Sequence, residues 1–282
     1  MAPCPLARAT LLAALFTSIA AIGAKAAAPA DPYDGDWHTS LTPYAWLAGS
    51  TTKLDFVNPV NGANVSVTAT ETATQVLGKL HFALMGINEV RKREWTVFGD
   101  VLYASVGSSN AQVKTVTGPN GLVEIPINVD TKDSLQQLIL TLGVGRSIYH
   151  DDGSFADAFA GVRYGAIKSK LDFNLAGPLN LISKSGRFED ADHSWDAVVG
   201  VKGRYMFDHG RWYFLYYGDV GTGRSNLTGQ VYAGPGYAFD WGDVFVTFRY
   251  LHYDTGTSAR LIKRLDMYGP MLGATFYLDG LF

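Results

Sequence analysis

Sulfur chemistry is almost absent from this chain. Its 282 residues include one cysteine, Cys4, so it holds no disulfide framework and no thiolate metal site. Charge is scarce too: Asp, Glu, Lys and Arg make up 17% of the residues, with 26 acidic against 23 basic side chains. Mild acidity without a basic stripe argues against nucleic acid as a partner. After the first 26 residues there is no apolar run of the ~18 residues that a helical span needs, and the longest uncharged stretches, such as 226–239, are laced with Gly, Thr and Pro. A 3.6-residue apolar period is missing as well. What remains is a chain that is 47% hydrophobic and carries 31 Gly, 15 Tyr, 15 Phe and 6 Trp, too apolar to stay disordered.

Residues 1–26 have the layout of a secretory signal peptide: Arg8 near the start, an uncharged apolar stretch over 10–23, then the small-x-small pattern Ala24-Lys25-Ala26. Its removal takes away Arg8, Lys25 and Cys4, moving the net charge from −3 to −5 and leaving no cysteine. Cys4 precedes the apolar stretch, the wrong place for a lipid-modified mature N-terminus. Residues 27–282 then form the mature domain.

A period of two dominates that domain. Trp195, Ala197, Val199, Val201, Gly203, Tyr205 and Phe207 form one face of a segment, and Asp196, Lys202 and Arg204 lie on the other. Trp212, Phe214 and Tyr216 alternate in the same way, as do Val244, Val246 and Phe248, and Leu272, Ala274, Phe276 and Leu278. Such patterning over 10–16 residues exceeds the usual soluble strand of about five or six. Tight charged turns fall at Arg91-Lys92-Arg93-Glu94, His150-Asp151-Asp152-Gly153, Asp208-His209-Gly210-Arg211 and Asp240-Trp241-Gly242-Asp243. Longer polar connections, near 58–75, 109–132 and 171–192, with shorter ones near 225–226 and 257–262, alternate with them.

Ten strands follow, near 36–57, 76–91, 94–108, 133–149, 154–170, 193–207, 211–224, 227–240, 243–256 and 263–278. The count rises to twelve if 58–72 or 119–130 pairs within the membrane. An even number of strands, with short turns on one rim and long loops on the other, is the plan of an up-and-down transmembrane β-barrel with both termini in the periplasm. Closure follows from the solvent: hydrocarbon offers no hydrogen-bond partner, so a strand-built span leaves no edge. A soluble β-barrel shows the same alternation with its faces reversed. Strand length, mid-strand charge opposite the apolar face, and Trp37, Trp46, Trp95, Trp195, Trp212 and Trp241 near strand ends, as an interfacial girdle, favour the membrane form.

Parity places Glu89, Asp100, Asp157 and Asp219 in the lumen with Arg163, Lys202, Arg204 and Arg249. These four acids and four bases come from six strands. Charges enclosed in a narrow barrel must pair, so the expectation is an ion-pair network that braces the lumen and largely occludes it. Inward Gly143, Gly145, Gly161, Gly200, Gly221, Gly234 and Gly236 make room for those long side chains. Open aqueous porins need about 16 strands, so a porin-like small-solute path would be gated or leaky, not a general pore. Arg146 falls on the lipid-facing parity beside Leu140, Leu142 and Val144; a bulge after Gly145 or snorkelling at the periplasmic rim would accommodate it.

No metal or other cofactor is expected, since His38, His81, His150, His193, His209 and His252 show no ligand spacing. Asp190-Ala191-Asp192-His193-Ser194 could suggest an outer-membrane hydrolase with its site at the barrel mouth, although the chain reads as a non-enzyme. Gly218-Asp219-Val220-Gly221-Thr222-Gly223 lacks the following helix of a phosphate loop.

Thr42-Pro43-Tyr44-Ala45-Trp46, Glu89-Val90-Arg91-Lys92 with Trp95 and Asp100, and Gly161-Val162-Arg163-Tyr164 resemble a family of uncharacterised proteobacterial outer-membrane β-barrel proteins. So do Gly203-Arg204-Tyr205, Gly218-Asp219-Val220-Gly221, Gly236-Tyr237-Ala238-Phe239, Arg249-Tyr250-Leu251, and Gly269-Pro270 with Gly273 and Phe276. The resemblance covers most of the mature chain. It implies an integral outer-membrane protein of a Gram-negative bacterium, with no activity, substrate or catalytic residue attached. Gly273, Phe276 and Leu278 also resemble the signal read by the barrel-assembly machinery. Met271 stands where that pattern has a polar residue, and four residues follow Leu278. Outer-membrane lipid and the assembly machinery are the partners expected, for a barrel in a structural or small-solute channel role. Its long loops, 109–132 and 171–192 above all, carry whatever recognition occurs, towards an extracellular ligand the sequence does not name. The other reading is a soluble periplasmic β-barrel binding protein.

Overall fold

A computed structural model describes residues 31–57, 64–117, 124–176, 183–207, 210–255 and 262–279; the signal-peptide segment lies outside them. The described chain consists of strands β1 (Trp37–Trp46), β2 (Gly49–Val57) and β3 (Asn64–Glu71), a short helix α1 (Ala73–Lys79), then β4 (Leu80–Lys92), β5 (Trp95–Thr117), β6 (Glu124–Asp151), β7 (Ser154–Ala176), β8 (Ser183–Met206), β9 (Trp212–Gly223), β10 (Leu227–Phe239), β11 (Gly242–Asp254) and β12 (Ile262–Tyr277).

All pairings are antiparallel. β1 pairs with β4, each later strand pairs with the next in the chain, and β12 returns to β1, so ten strands close a barrel. β2 and β3 are additional strands. β2 prolongs β1 along β12, and β3 folds back against β2. The four short turns and both ends of the described chain share one rim, where His38 sits between two carboxylates, Nδ1 2.9 Å from Asp279 and Nε2 2.9 Å from Asp34.

The faces sort as a bilayer demands. Val199 is 57% exposed and Lys202, three residues on, 8% exposed. Trp195, Phe214, Leu142, Val144, Val220 and Phe248 also stand outside. The interior begins with crossed aromatic rings, Phe98 on Phe159 (centroids 5.0 Å apart) and Tyr217 stacked on Tyr232 (4.8 Å). Water would penalise so apolar an exterior; hydrocarbon does not.

Four expectations need correction. Trp46 is buried inside, its indole N–H donating to the Gly269 carbonyl at 3.1 Å, because its parity on β1 is inward; the other five tryptophans are exposed. Stretches 109–132 and 171–192 are mostly strand, not loop: β5 and β6 pair up to Thr117↔Glu124, and β7 and β8 up to Ala176↔Ser183. Segment 58–75 holds β3 and the start of α1, whose Thr72 and Gln75 form a reciprocal capping box. The inward glycines make room for rings and for backbone, not for ion pairs: a Cβ on Gly143 would lie 2.5 Å from the Phe98 ring and one on Gly236 would meet Tyr213, whereas at Gly161, Gly221 and Gly234 it would strike a carbonyl oxygen of the neighbouring strand.

Arg146 points outward at the short-turn rim, its Nη2 2.6 Å from Glu94 and its guanidinium over the Trp95 ring. A register shift between Ser147 and Tyr149, not after Gly145, follows it. The Arg146 hydrogen bonds hold the Glu94 carboxyl below its ordinary range. The pair is exposed, so water screens it. Arg146→Gln is expected to leave the urea unfolding midpoint of the folded barrel unchanged; a clear drop would show that this rim pair braces the turn.

Candidate functional site

Inward parity along ten strands brings the charged side chains to one axis, and low dielectric there forces each to find partners. The eight residues singled out in the sequence all lie inside, in four clusters.

Nearest the short-turn rim, Lys202 on β8 reaches Glu89 on β4 at 2.5 Å and Asp157 on β7 at 3.6 Å. Arg91 joins them, bonded to Asp157 and 3.1 Å from Glu89. Across the bore Arg204 Nη1 lies 2.8 Å from Asp243 Oδ2, which also accepts from the Tyr277 hydroxyl at 2.6 Å. Between these clusters lies a cavity of about 170 Å³, floored by Glu89, Arg91, Arg204 and Asp243 and roofed by Asp100 and Tyr232.

The other two clusters bar the middle. Arg163 on β7 is bonded to Asp219 on β9 and donates to Thr141 on β6 (3.1 Å) and Thr228 on β10 (3.0 Å). The Tyr217 hydroxyl donates to Asp219 at 2.6 Å. Arg249 on β11 crosses to Asp100 on β5 at 2.7 Å and also donates to Gln230 (2.6 Å) and the Tyr44 hydroxyl (2.8 Å). Tyr44 in turn donates to Asp100 at 2.6 Å. The Arg249 guanidinium lies 4.9 Å from the Trp46 ring centroid, close enough for cation–π attraction. Each guanidinium thus has donors shared among several strands, the condition under which a buried pair can offset its desolvation.

Sequence reasoning missed Arg91 and Asp243, both assigned to turns. Parity could have found them: Arg91 is two residues from Glu89 and Asp243 six from Arg249, so both share the inward face.

The 190–194 motif does not assemble a nucleophile and base. His193 and Ser194 alternate across β8; His193 is exposed, its Nε2 3.4 Å from Arg224 Nη1, and Asp192 is held by Arg224 at 3.1 Å. Among the described residues no group of three or more His, Cys, Asp or Glu is placed to hold a metal ion.

No family model and no curated protein matches the chain. Among solved structures it is similar to the outer membrane protease OmpT from Escherichia coli, at 9% identity over 89% of this chain and 100% of that one, with a TM-score of 0.47. It is similar also to the translocator domain of autotransporter NalP from Neisseria meningitidis, at 10% identity over 96% and 97% of the two chains with a TM-score of 0.36. A third likeness is to Ail, the attachment invasion locus protein of Yersinia pestis, at 9% identity over 86% and 99% with a TM-score of 0.31. What the chain shares with these structures is the barrel.

Proposed function

We propose that this protein is an integral outer-membrane barrel of a Gram-negative bacterium whose lumen is braced shut, and that its role is structural: a stiff, non-conducting stave that carries long hairpins outward. One observation carries the reading. Arg163 and Arg249, at 0% and 1% exposure, lie across the bore on partners from several strands, and a hydrated solute would have to break those bonds to pass. The apolar exterior weighs against a soluble periplasmic binding protein, and the separation of His193 from Ser194 weighs against a hydrolase at the mouth. On this reading the standing partners are membrane lipid and the assembly machinery, for which Gly273, Phe276 and Leu278 offer the C-terminal signal.

Planar-bilayer recording tests it. The native protein is expected to give silent membranes, and the double variant Asp100→Ala/Arg249→Ala to give discrete conductance steps. Sustained steps from the native protein would make it a channel and end the structural reading.

A further inference from the structure

The barrel wall is not zipped along its full height. β1 pairs with β4 only from Trp37↔Lys92 to Pro43↔Gly86. Beyond that rung β1 runs on through 44–46 and past Leu47-Ala48 into β2, whose far edge is taken by β3. β4 runs on from Met85 to Leu80 paired with β5 alone. Helix α1 spans the top of the resulting notch. It is pinned by Lys79 on Glu71 at 2.5 Å and by its start against Gly49, where a Cβ would lie 3.0 Å from the Glu71 carbonyl oxygen.

Beyond the last β4 rung, β1 stays with β12. Leu278 donates its N–H to Thr39 O and Leu47 donates to Pro270 O, so odd-numbered residues of β1 direct their backbone towards β12. Pro43, at an odd position, has no N–H to give, and the β1–β12 register has no rung between Leu41↔Phe276 and Tyr44↔Gly273. Just above, Leu47 O comes so close to Gly269 that any Cβ there would collide with it. Above Pro43, β1 thus keeps a hydrogen bond and a close backbone approach to β12, while its ladder to β4 ends at Pro43↔Gly86.

A second observation concerns what lies behind the notch. Barrel interiors in outer membranes are normally polar, yet here Leu102, Ile139, Leu251, Met267 and Met271 form one buried cluster with Trp46, and Met85 from the edge of the notch packs against it. The Trp46 N–H is committed to the Gly269 carbonyl on β12. Outside, Leu84 (57% exposed), Phe82 and Leu47 present apolar flanks to the bilayer. Unpaired strand edges inside hydrocarbon are costly and call for a use.

We propose that this notch is a side entrance through which the acyl chain of a membrane amphiphile passes between the bilayer and the apolar upper interior, above the Arg249–Asp100 bar. Methionine, unbranched and polarizable, suits a lining that must repack around a flexible chain.

Two measurements test it. Cysteine pairs placed at Leu41/Asn88, in register across the zipped part, and at Ala45/Leu84, which would face each other if the ladder continued, are oxidised in phosphatidylcholine vesicles. Leu41→Cys/Asn88→Cys is expected to bridge readily, and Ala45→Cys/Leu84→Cys at least ~10-fold more slowly, because Cα atoms more than ~7 Å apart cannot be bridged without backbone movement. Equal rates would mean a sealed wall and overturn the entrance. Then, with the other five tryptophans changed to Phe, dibromostearate is expected to quench Trp46 saturably and aqueous iodide to leave it bright. Ala83→Phe, which fills the notch from β4, is expected to weaken the dibromostearate effect, with heat-modifiable gel mobility confirming that the variant is folded. Quenching by iodide, or dibromostearate quenching that fails to saturate or is unchanged in Ala83→Phe, would overturn passage of an acyl chain.

Discussion

Arg163→Met is expected to destabilise the barrel by about 3–5 kcal/mol, the usual consequence of leaving one member of a buried ion pair without the other. Arg163 gives its protons to Asp219, Thr141 and Thr228. Its loss strips Asp219 of its one cationic partner among the described residues, while the side chain of Asp219 is fully enclosed and its Oδ1 already has no hydrogen-bond partner there. The Tyr217 hydroxyl remains as one donor, which places the effect towards the lower end of that range. Arg163→Met/Asp219→Leu removes both charges, and most of the loss should return, since well-packed apolar replacement of a buried pair is often neutral or better. Urea titration of the folded fraction in lipid vesicles, read by gel mobility, gives both numbers. A single variant as stable as the native protein, or a double variant no better than the single, would show that the pair is solvated and that the bore is wet at this height.

The second large effect lies on the other face. Val199→Arg is expected to cost about 2–4 kcal/mol, the range for a cationic side chain facing lipid near the midplane. Val199 lies on β8 between Trp195 and Tyr205, and its cross-strand neighbours Ala160 and Val220 offer no carboxylate. On a protein whose outside met water, an exposed valine changed to arginine would alter stability by no more than about 0.5 kcal/mol. The same titration with Val199→Leu as control decides between the two. An unperturbed Val199→Arg barrel would contradict the lipid-facing assignment of this whole face.

Most of the wall was legible because lipid imposes one rule on every strand. The alternation around Trp195 to Phe207 and around Val244 to Phe248 identifies both the strand and the side that faces out, and the charged turns mark where each hairpin reverses. The ion pairs were legible in membership but not in matching, since parity says which side chains are enclosed and nothing about which strands are opposite. That Arg249 meets Asp100 across the bore depends on how the sheet closes on itself. Arg91 and Asp243 escaped because adjacent turn residues disguised their inward parity. Trp46 escaped because an aromatic near a strand end reads as interfacial until the face is counted. The pairing through 109–132 and 171–192 is obscured by the Ser, Thr, Asn, Asp and Lys scattered along both stretches, although Ile125, Ile127 and Val129 alternate with Pro126 and Asn128, and Leu171, Phe173 and Leu175 with Asp172 and Asn174. Helix α1 is too short for a 3.6-residue period, though its Thr72–Gln75 box is written in the sequence.

The strands differ greatly in length around the circumference. β6 has 28 residues and β9 has 12. At the usual rise and tilt, β6 climbs roughly 70 Å and β9 roughly 30 Å, against an apolar band about 25 Å tall. The four strands β5 to β8 therefore rise as a single blade from one side of a low collar. Anything approaching from the long-strand side touches the edge of that blade well before it reaches the rim, and the collar stands lowest over β9, β10 and β11.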